Sequence, residues 1–244
     1  MKMQRQSKIH SLGYLSVIMP VYNERKTIEG IIERVKAVPL PKEIIIVDDF
    51  STDGTREGLG AIKDSEVKVL YHRQNQGKGS AIRTALAQVQ GDIVIIQDAD
   101  LEYDPGDYPR LLQPIIEGKT DVVYGSRFLG EKFKLFGRGK TSLPHHYLGN
   151  RLLTIMTNLL YFRRITDMET GYKVFRSETI KSISLRCRRF DFEPEITAKL
   201  LKKGCRILEL PINYRPRSFK EGKKINWVDG LAAAYYLVKY RFLD

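Results

Sequence analysis

Five short apolar runs rich in β-branched residues recur through the first half of the chain: LSVIM (Leu15 to Met19), EIIIVDD (Glu43 to Asp49), VKVLY (Val67 to Tyr71), DIVIIQD (Asp92 to Asp98) and DVVYGS (Asp121 to Ser126). Apolar character without polar alternation marks strands buried on both faces. Between the runs lie TIEGIIERVKAV, TREGLGAIK, GSAIRTALAQV and DYPRLLQPIIEG, whose apolar residues fall at helical spacing. Strand and helix in alternation imply an α/β fold with a doubly wound parallel sheet. Ligands of such sheets bind beyond the carboxyl ends of the strands. Polar clusters stand at three of those ends: NE after the first run, DDFSTDGT after the second and DADLE after the fourth. One edge of the sheet is expected to carry the chemistry.

The second half reads differently. FLGEKFKLFGRGKTSLPHH has Gly, Pro and many cations without periodicity and is read as a loop. An amphipathic helix is expected over Tyr147 to Phe162, then TDMETGYKVFR, a helix ending KLLKKG, a strand in RILELPINY, a cationic loop RPRSFKEGKK, and a last helix from Trp227 to Phe242. With no internal repeat, the whole of 1–244 is read as one domain. Its halves divide near residue 126, with an acceptor-side extension after the cut.

Charge follows the same division. Residues 1–126 carry 16 Lys and Arg against 18 Asp and Glu (−2), while residues 127–244 carry 25 against 11 (+14), so the net +12 arises wholly in the second half. That asymmetry points to an anionic partner: a phosphorylated substrate, an acidic membrane surface or nucleic acid. No nucleic-acid reader motif is present, which leaves that partner as the weakest alternative. The two cysteines, Cys187 and Cys205, form no CxxC and no metal-ligand spacing with the four histidines, which fits a reduced, cytoplasmic protein. The opening MKMQRQSKIHSLG has no apolar segment of secretory type, and no stretch approaches the ~20 apolar residues needed to span a bilayer. Any membrane contact is expected from the side. The last helix, with Trp227, Leu231, Tyr235, Val238 and Phe242 near helical spacing and Lys239 and Arg241 beside them, suits an interfacial position or packing on the sheet.

DAD places Asp98 and Asp100 two residues apart, so in extended backbone both carboxylates point to one side. With Glu102 they form a hard oxygen set suited to Mg²⁺ or Mn²⁺ shared with a substrate's phosphates. NQGKGSAI, from Asn75 to Ile82, is Gly-rich and opens a helix whose amides and dipole would face an anion, with Lys78 beside them. It is not a Walker A loop, because Gly79 rather than Ser or Thr follows Lys78.

The ordered set PVYNE, VDDFSTDGT, NQGKG, QDADLEYDP and GSRF resembles the inverting family 2 glycosyltransferases of the GT-A, Rossmann-like fold. In the second half, GNRLLTIMTN, DMETGYKVFR, INYRPR and GKKINWVDGL resemble the branch that contains dolichol-phosphate mannose synthase and bacterial polyprenyl-phosphate glycosyltransferases. The resemblance implies that Pro20, Tyr22, Glu24, Asp48 and Asp49 hold the nucleoside. Asp98, Asp100 and Glu102 would hold the metal that bridges the donor diphosphate. Arg215, Lys223 and Lys224 would clamp that diphosphate, and Arg127 and Arg151 would grip the acceptor phosphate. Members of the branch commonly carry Gln where this chain has Glu102.

The implied reaction moves a hexose from a nucleotide sugar of the GDP-mannose or UDP-glucose type to a polyprenyl phosphate at the cytoplasmic membrane face. A phosphate acceptor is already ionised and needs no strong base, so positioning and fixed charge carry the catalysis. A saccharide hydroxyl acceptor is the alternative, and it would need a base, for which Asp167 or Glu169 in TDMETG stands nearest.

Overall fold

The computed structural model describes residues 13–129, 144–217 and 227–243, with side chains described from 147 and from 229 in the last two segments. Its centre is a seven-stranded sheet in the order β3-β2-β1-β4-β6-β5-β7. The strands are β1 (Leu15–Val21), β2 (Lys42–Asp48), β3 (Val67–Tyr71), β4 (Ile93–Ile96), β5 (Val122–Ser126), β6 (Lys173–Arg176) and β7 (Ile207–Pro211). All five runs read from the first half are strands. The sheet continues into the second half through β6 and β7.

β6 departs from the parallel pattern. It inserts between β4 and β5 and pairs antiparallel with both, Ile95 opposite Val174 and Val123 opposite the same residue. The sequence gives little sign of this strand, because it has four residues and begins with a lysine. Lys173 is nevertheless fully buried, and its ammonium donates to the carbonyls of Met168 and Thr170.

Alternate strand residues feed two cores, as the period of two requires. Val17, Met19, Ile44, Ile46, Ile93 and Ile95 meet helices α1 (Ile28–Ala37) and α4 (Tyr108–Ile116) on one face. Ile18, Ile45, Val47, Val94 and Ile96 meet α3 (Lys78–Leu86) and α7 (Phe192–Lys202) on the other. The short helices α2 (Thr55–Gly60) and α6 (Ser177–Lys181) fill the flanks. A third cluster joins α5 (Pro144–Tyr161), α7 and α8 (Trp227–Phe242) through Tyr161, Met168, Ala198, Leu237 and Tyr240. Tyr161 fixes the α5–α8 contact by donating its hydroxyl to the Leu237 carbonyl at 2.7 Å.

That contact leaves two apolar stripes outside. Leu148, Leu152, Ile155, Leu159 and Phe162 recur every three or four residues along and just beyond α5, and Leu231, Tyr235, Val238 and Phe242 do so on α8. All are exposed, Phe162 and Leu159 by 79% and 70%. Among the described residues, no helix is long and apolar enough to cross a membrane.

Candidate active site

The parallel pairing of β1 with β2 and β4 brings their carboxyl ends to one edge, and a cavity of about 1030 Å³ opens there. Pro20, Tyr22, Glu24, Asp49, Lys78, Asp98, Asp100, Glu102, Arg127 and Glu169 line it, as do Leu152 and Met156 of α5 and Leu231 and Ala234 of α8. The polar clusters read from separate strand ends are therefore one site, and it extends to the two helices with the apolar stripes.

β4 ends at Ile96, and Gln97 anchors the turn that follows. Its amide oxygen accepts from the hydroxyls of Tyr108 and Tyr172, each at 2.7 Å. Asp98 then pairs with Lys78 at 2.8 Å, and Lys78 also pairs with Glu193 at 2.8 Å. Burial alone would lower the Lys78 pKa, but Asp98 and Glu193 raise it well above the ordinary lysine range. Asp98 also lies against the Gly171 backbone, where a Cβ would collide with Asp98 Oδ2 and the Tyr103 ring. Two elements distant in sequence, the DAD turn and TDMETG, thus interlock through a glycine.

Asp100 is the most perturbed carboxyl of this turn. Burial, then the charges of Asp98 and Glu102, push it up to about 7, against the opposing pull of Arg217. Arg217 donates to Glu24 at 2.9 and 3.2 Å and to Asp100 at 3.1 Å. Its backbone N–H donates to Glu102 Oε1 at 2.7 Å, while the Tyr214 hydroxyl donates to Glu102 Oε2 at 2.5 Å.

Tyr214 and Arg217 engage the oxygens of Glu102, the third carboxylate of the expected metal set. Among the described residues no group of three His, Cys, Asp or Glu is arranged to hold a metal unaided. Arg217, not Arg215, reaches the acidic cluster. Arg215 is exposed, and its backbone N–H donates to the Glu102 carbonyl in the register set by the Tyr103–Tyr214 bridge. Two arginines two residues apart in RPRS cannot be told apart from sequence, and only that bridge decides between them. Lys223 and Lys224 lie outside the described residues.

The turn before α3 is not open to an anion. Gln76 and Gly77 donate their N–H groups to Asp49 at 2.8 and 2.7 Å, and Gly79 and Ser80 donate theirs to the carbonyls of Arg189 and Arg188. Gly77, at φ +90°, is required there because a Cβ would strike the Arg188 carbonyl. Asp49 also meets His72 Nδ1 at 2.7 Å, so its carboxylate is held rigidly at the cavity wall. Asp48 is fully buried, faces Arg56 at 3.6 Å and does not line the cavity.

Asp167 and Glu169, equivalent in sequence, separate sharply in structure. Asp167 is fully buried and locked to Arg127, accepting from Nε at 2.7 Å, from Nη2 at 2.7 Å and from the backbone N–H at 3.0 Å. It does not line the cavity, and the pair fixes Arg127 at the wall. Glu169 does line it, and its Oε1 is buried without a hydrogen-bond partner. Burial, then Glu193, push its carboxyl up to about 7 against Lys173 and Arg127. Arg151 does not line the cavity; it donates to the Thr166 carbonyl at 3.3 Å and lies over the Phe128 ring. Glu193 and Gly171 are site residues that sequence reasoning missed: Glu193 stands in no recognisable cluster, and Gly171 closes TDMETG without a side chain to mark its contact with Asp98.

A low-salt glycan biosynthesis hexosyltransferase of Haloferax volcanii is 32% identical over 206 residues, 83% of this chain and 48% of that protein. The chain therefore spans about half the length of that relative. An undecaprenyl-phosphate mannosyltransferase of Micrococcus luteus is 28% identical over 225 residues, 88% of this chain and 89% of that protein. Among solved structures, glucosyl-3-phosphoglycerate synthase from Mycobacterium tuberculosis, in complex with Mn²⁺, UDP and glucosyl-3-phosphoglycerate, superposes with a TM-score of 0.72 at 20% identity. The match covers 96% of this chain and 80% of that one. The shared architecture is the GT-A fold. Residues 16–183 match the model of glycosyl transferase family 2. The chain belongs to that family.

Proposed function

We propose that this enzyme transfers a hexose, with inversion, from a nucleoside-diphosphate sugar to a polyprenyl phosphate at the cytoplasmic face of a membrane. One observation carries the reading: a single cavity joins the carboxylate cluster at the sheet edge to the apolar helices α5 and α8. A polar donor and an amphiphilic acceptor would meet in such a space. The donor half is assigned to about 14–126 and the acceptor side to 127–244. The Micrococcus relative is named for undecaprenyl phosphate, which is acceptor chemistry of this kind.

The donor set suits a divalent cation held jointly with the donor. Burial, then the charges of Asp98 and Glu102, raise the Asp100 carboxyl to about 7, and Arg217 supplies positive charge there. Asp98 and Asp100 would hold Mg²⁺ or Mn²⁺, with the remaining ligands drawn from the diphosphate, a division such ions favour. Bound there, the ion would offset charge developing on the departing diphosphate. Arg127, made rigid by Asp167, presents fixed positive charge to an acceptor phosphate. Tyr22, Pro20, Glu24 and Asp49 form the wall where the nucleoside would sit.

The exposed stripes of α5 and α8 support peripheral contact with a bilayer. Arg163, Arg164, Lys239 and Arg241 stand beside them, the arrangement expected where apolar side chains enter the interface and cations meet lipid phosphates. A second reading, transfer to a saccharide hydroxyl, is favoured by the unpartnered Glu169 oxygen, which could accept a proton near neutral pH.

Purified enzyme incubated with labelled UDP- and GDP-hexoses, Mg²⁺ or Mn²⁺ and polyprenyl phosphate tests the proposal. Label is expected in the organic phase. Label confined to water-soluble products across all donors would refute it.

A further inference from the structure

Arg217 stands where a bound cation is wanted. Its guanidinium meets Glu24 with both terminal nitrogens and Asp100 with one of them, and its own N–H binds Glu102. The side chain is only 16% exposed. Among the described ion pairs, Lys78 joins Asp98 and Glu193, and Arg217 joins Glu24, Asp100 and Glu102. Like carboxylates so arranged repel one another, and Arg217 is the group that holds Glu24, Asp100 and Glu102 together. Its Nε is buried without a hydrogen-bond partner, so the guanidinium is incompletely satisfied in this pose.

Resting on the donor-site reading above, we propose that Arg217 is a resident counter-ion that a divalent cation and the donor diphosphate displace together. The enzyme then takes up its metal only in company with the nucleotide. A bare divalent ion at Asp98 and Asp100 must part Arg217 from Asp100 and leave its guanidinium with less of the negative charge that now holds it. A metal–diphosphate complex removes that penalty, because the diphosphate offers the displaced guanidinium a new anionic partner. The two ligands are therefore coupled through one side chain, and each raises the affinity for the other by the same factor.

The test measures free Mn²⁺ by electron paramagnetic resonance with the full chain, alone and with saturating UDP or GDP. For the unaltered protein, Mn²⁺ binding is expected to tighten about tenfold or more with one of the nucleotides, within the usual range of such coupling. R217Q should bind Mn²⁺ alone about tenfold more tightly than the unaltered protein, the scale set by removing one competing charge from a half-buried site. Its nucleotide enhancement should shrink accordingly. R217K keeps the charge without the two-pronged geometry. It should tighten binding of Mn²⁺ alone a few-fold, which secures the test if R217Q folds poorly. If neither variant binds Mn²⁺ alone more tightly while the unaltered protein still shows nucleotide enhancement, the exchange is overturned and the donor site stands. If the unaltered protein binds no Mn²⁺ with either nucleotide, both fall.

Discussion

Replacing Glu169 with Gln separates two roles for this carboxyl by opposite signs. Its folded pKa stands at about 7, raised from 4.5 by burial and then by Glu193. A carboxyl raised in this way binds its proton more tightly when folded than when unfolded, so ionising it destabilises the fold. The cost is absent below about pH 4.5, grows as pH rises, and is complete above about 7. At about 1.4 kcal/mol per pKa unit it amounts to about 3 kcal/mol. Lys173, which burial lowers to about 8, contributes with the opposite sign only at higher pH, and Asp100, which titrates in the same range as Glu169, is common to both proteins and cancels in their difference. Urea unfolding from pH 5 to 7.5 should show Glu169→Gln gaining stability relative to the unaltered protein as pH rises, by up to about 3 kcal/mol. The same difference at pH 5 and 7.5 would refute the electrostatic reasoning. For activity, an already ionised phosphate acceptor predicts that Glu169→Gln keeps turnover within about tenfold, whereas a hydroxyl acceptor predicts a loss of about 10²-fold or more.

Asp100→Asn should lower turnover by about 10²-fold, the scale of one lost electrostatic contact in the transition state. Its melting temperature should not fall, because the substitution relieves repulsion from Asp98 and Glu102. Asp167→Ala leaves Arg127 buried without its partner and should destabilise the protein by about 3–5 kcal/mol in urea unfolding. Gly171→Ala should push Asp98 out of place, seen as a loss of kcat larger than any loss of unfolding free energy. Leu159→Ser combined with Phe162→Ser should weaken co-sedimentation with anionic vesicles by tenfold or more, since burying each such side chain is worth about 1.5–3 kcal/mol. Nucleotide binding should be unchanged in that variant.

The parallel part of the sheet and its functional edge were legible because strands buried on both faces leave continuous apolar runs, and their ends carry the polar residues. β6 was hidden by its length and by Lys173, a charge whose burial depends on carbonyls supplied by a neighbouring turn. In the site, Asp98, Asp100, Arg127 and Glu169 could be named because they stand in clusters, and the structure gathers them around one cavity. Pairings were not legible. The sequence places Lys78 in a Gly-rich helix start suited to an anionic ligand, whereas Asp98 and Glu193, the latter 115 residues away, hold it. The choice of Arg217 over Arg215, and of Glu169 over Asp167 as the carboxyl facing the cavity, depends on where neighbouring strands place each backbone. Local pattern does not encode that.

A divalent ion and a nucleoside diphosphate are expected to meet at the carboxylates after β4. Anomalous diffraction from crystals grown with Mn²⁺ and UDP or GDP measures this directly. The account predicts a manganese peak beside Asp98 and Asp100 with the diphosphate on its far side and Arg217 withdrawn from Asp100. Nucleotide bound in the cavity with Arg217 still on Asp100 and no manganese at those carboxylates would contradict it.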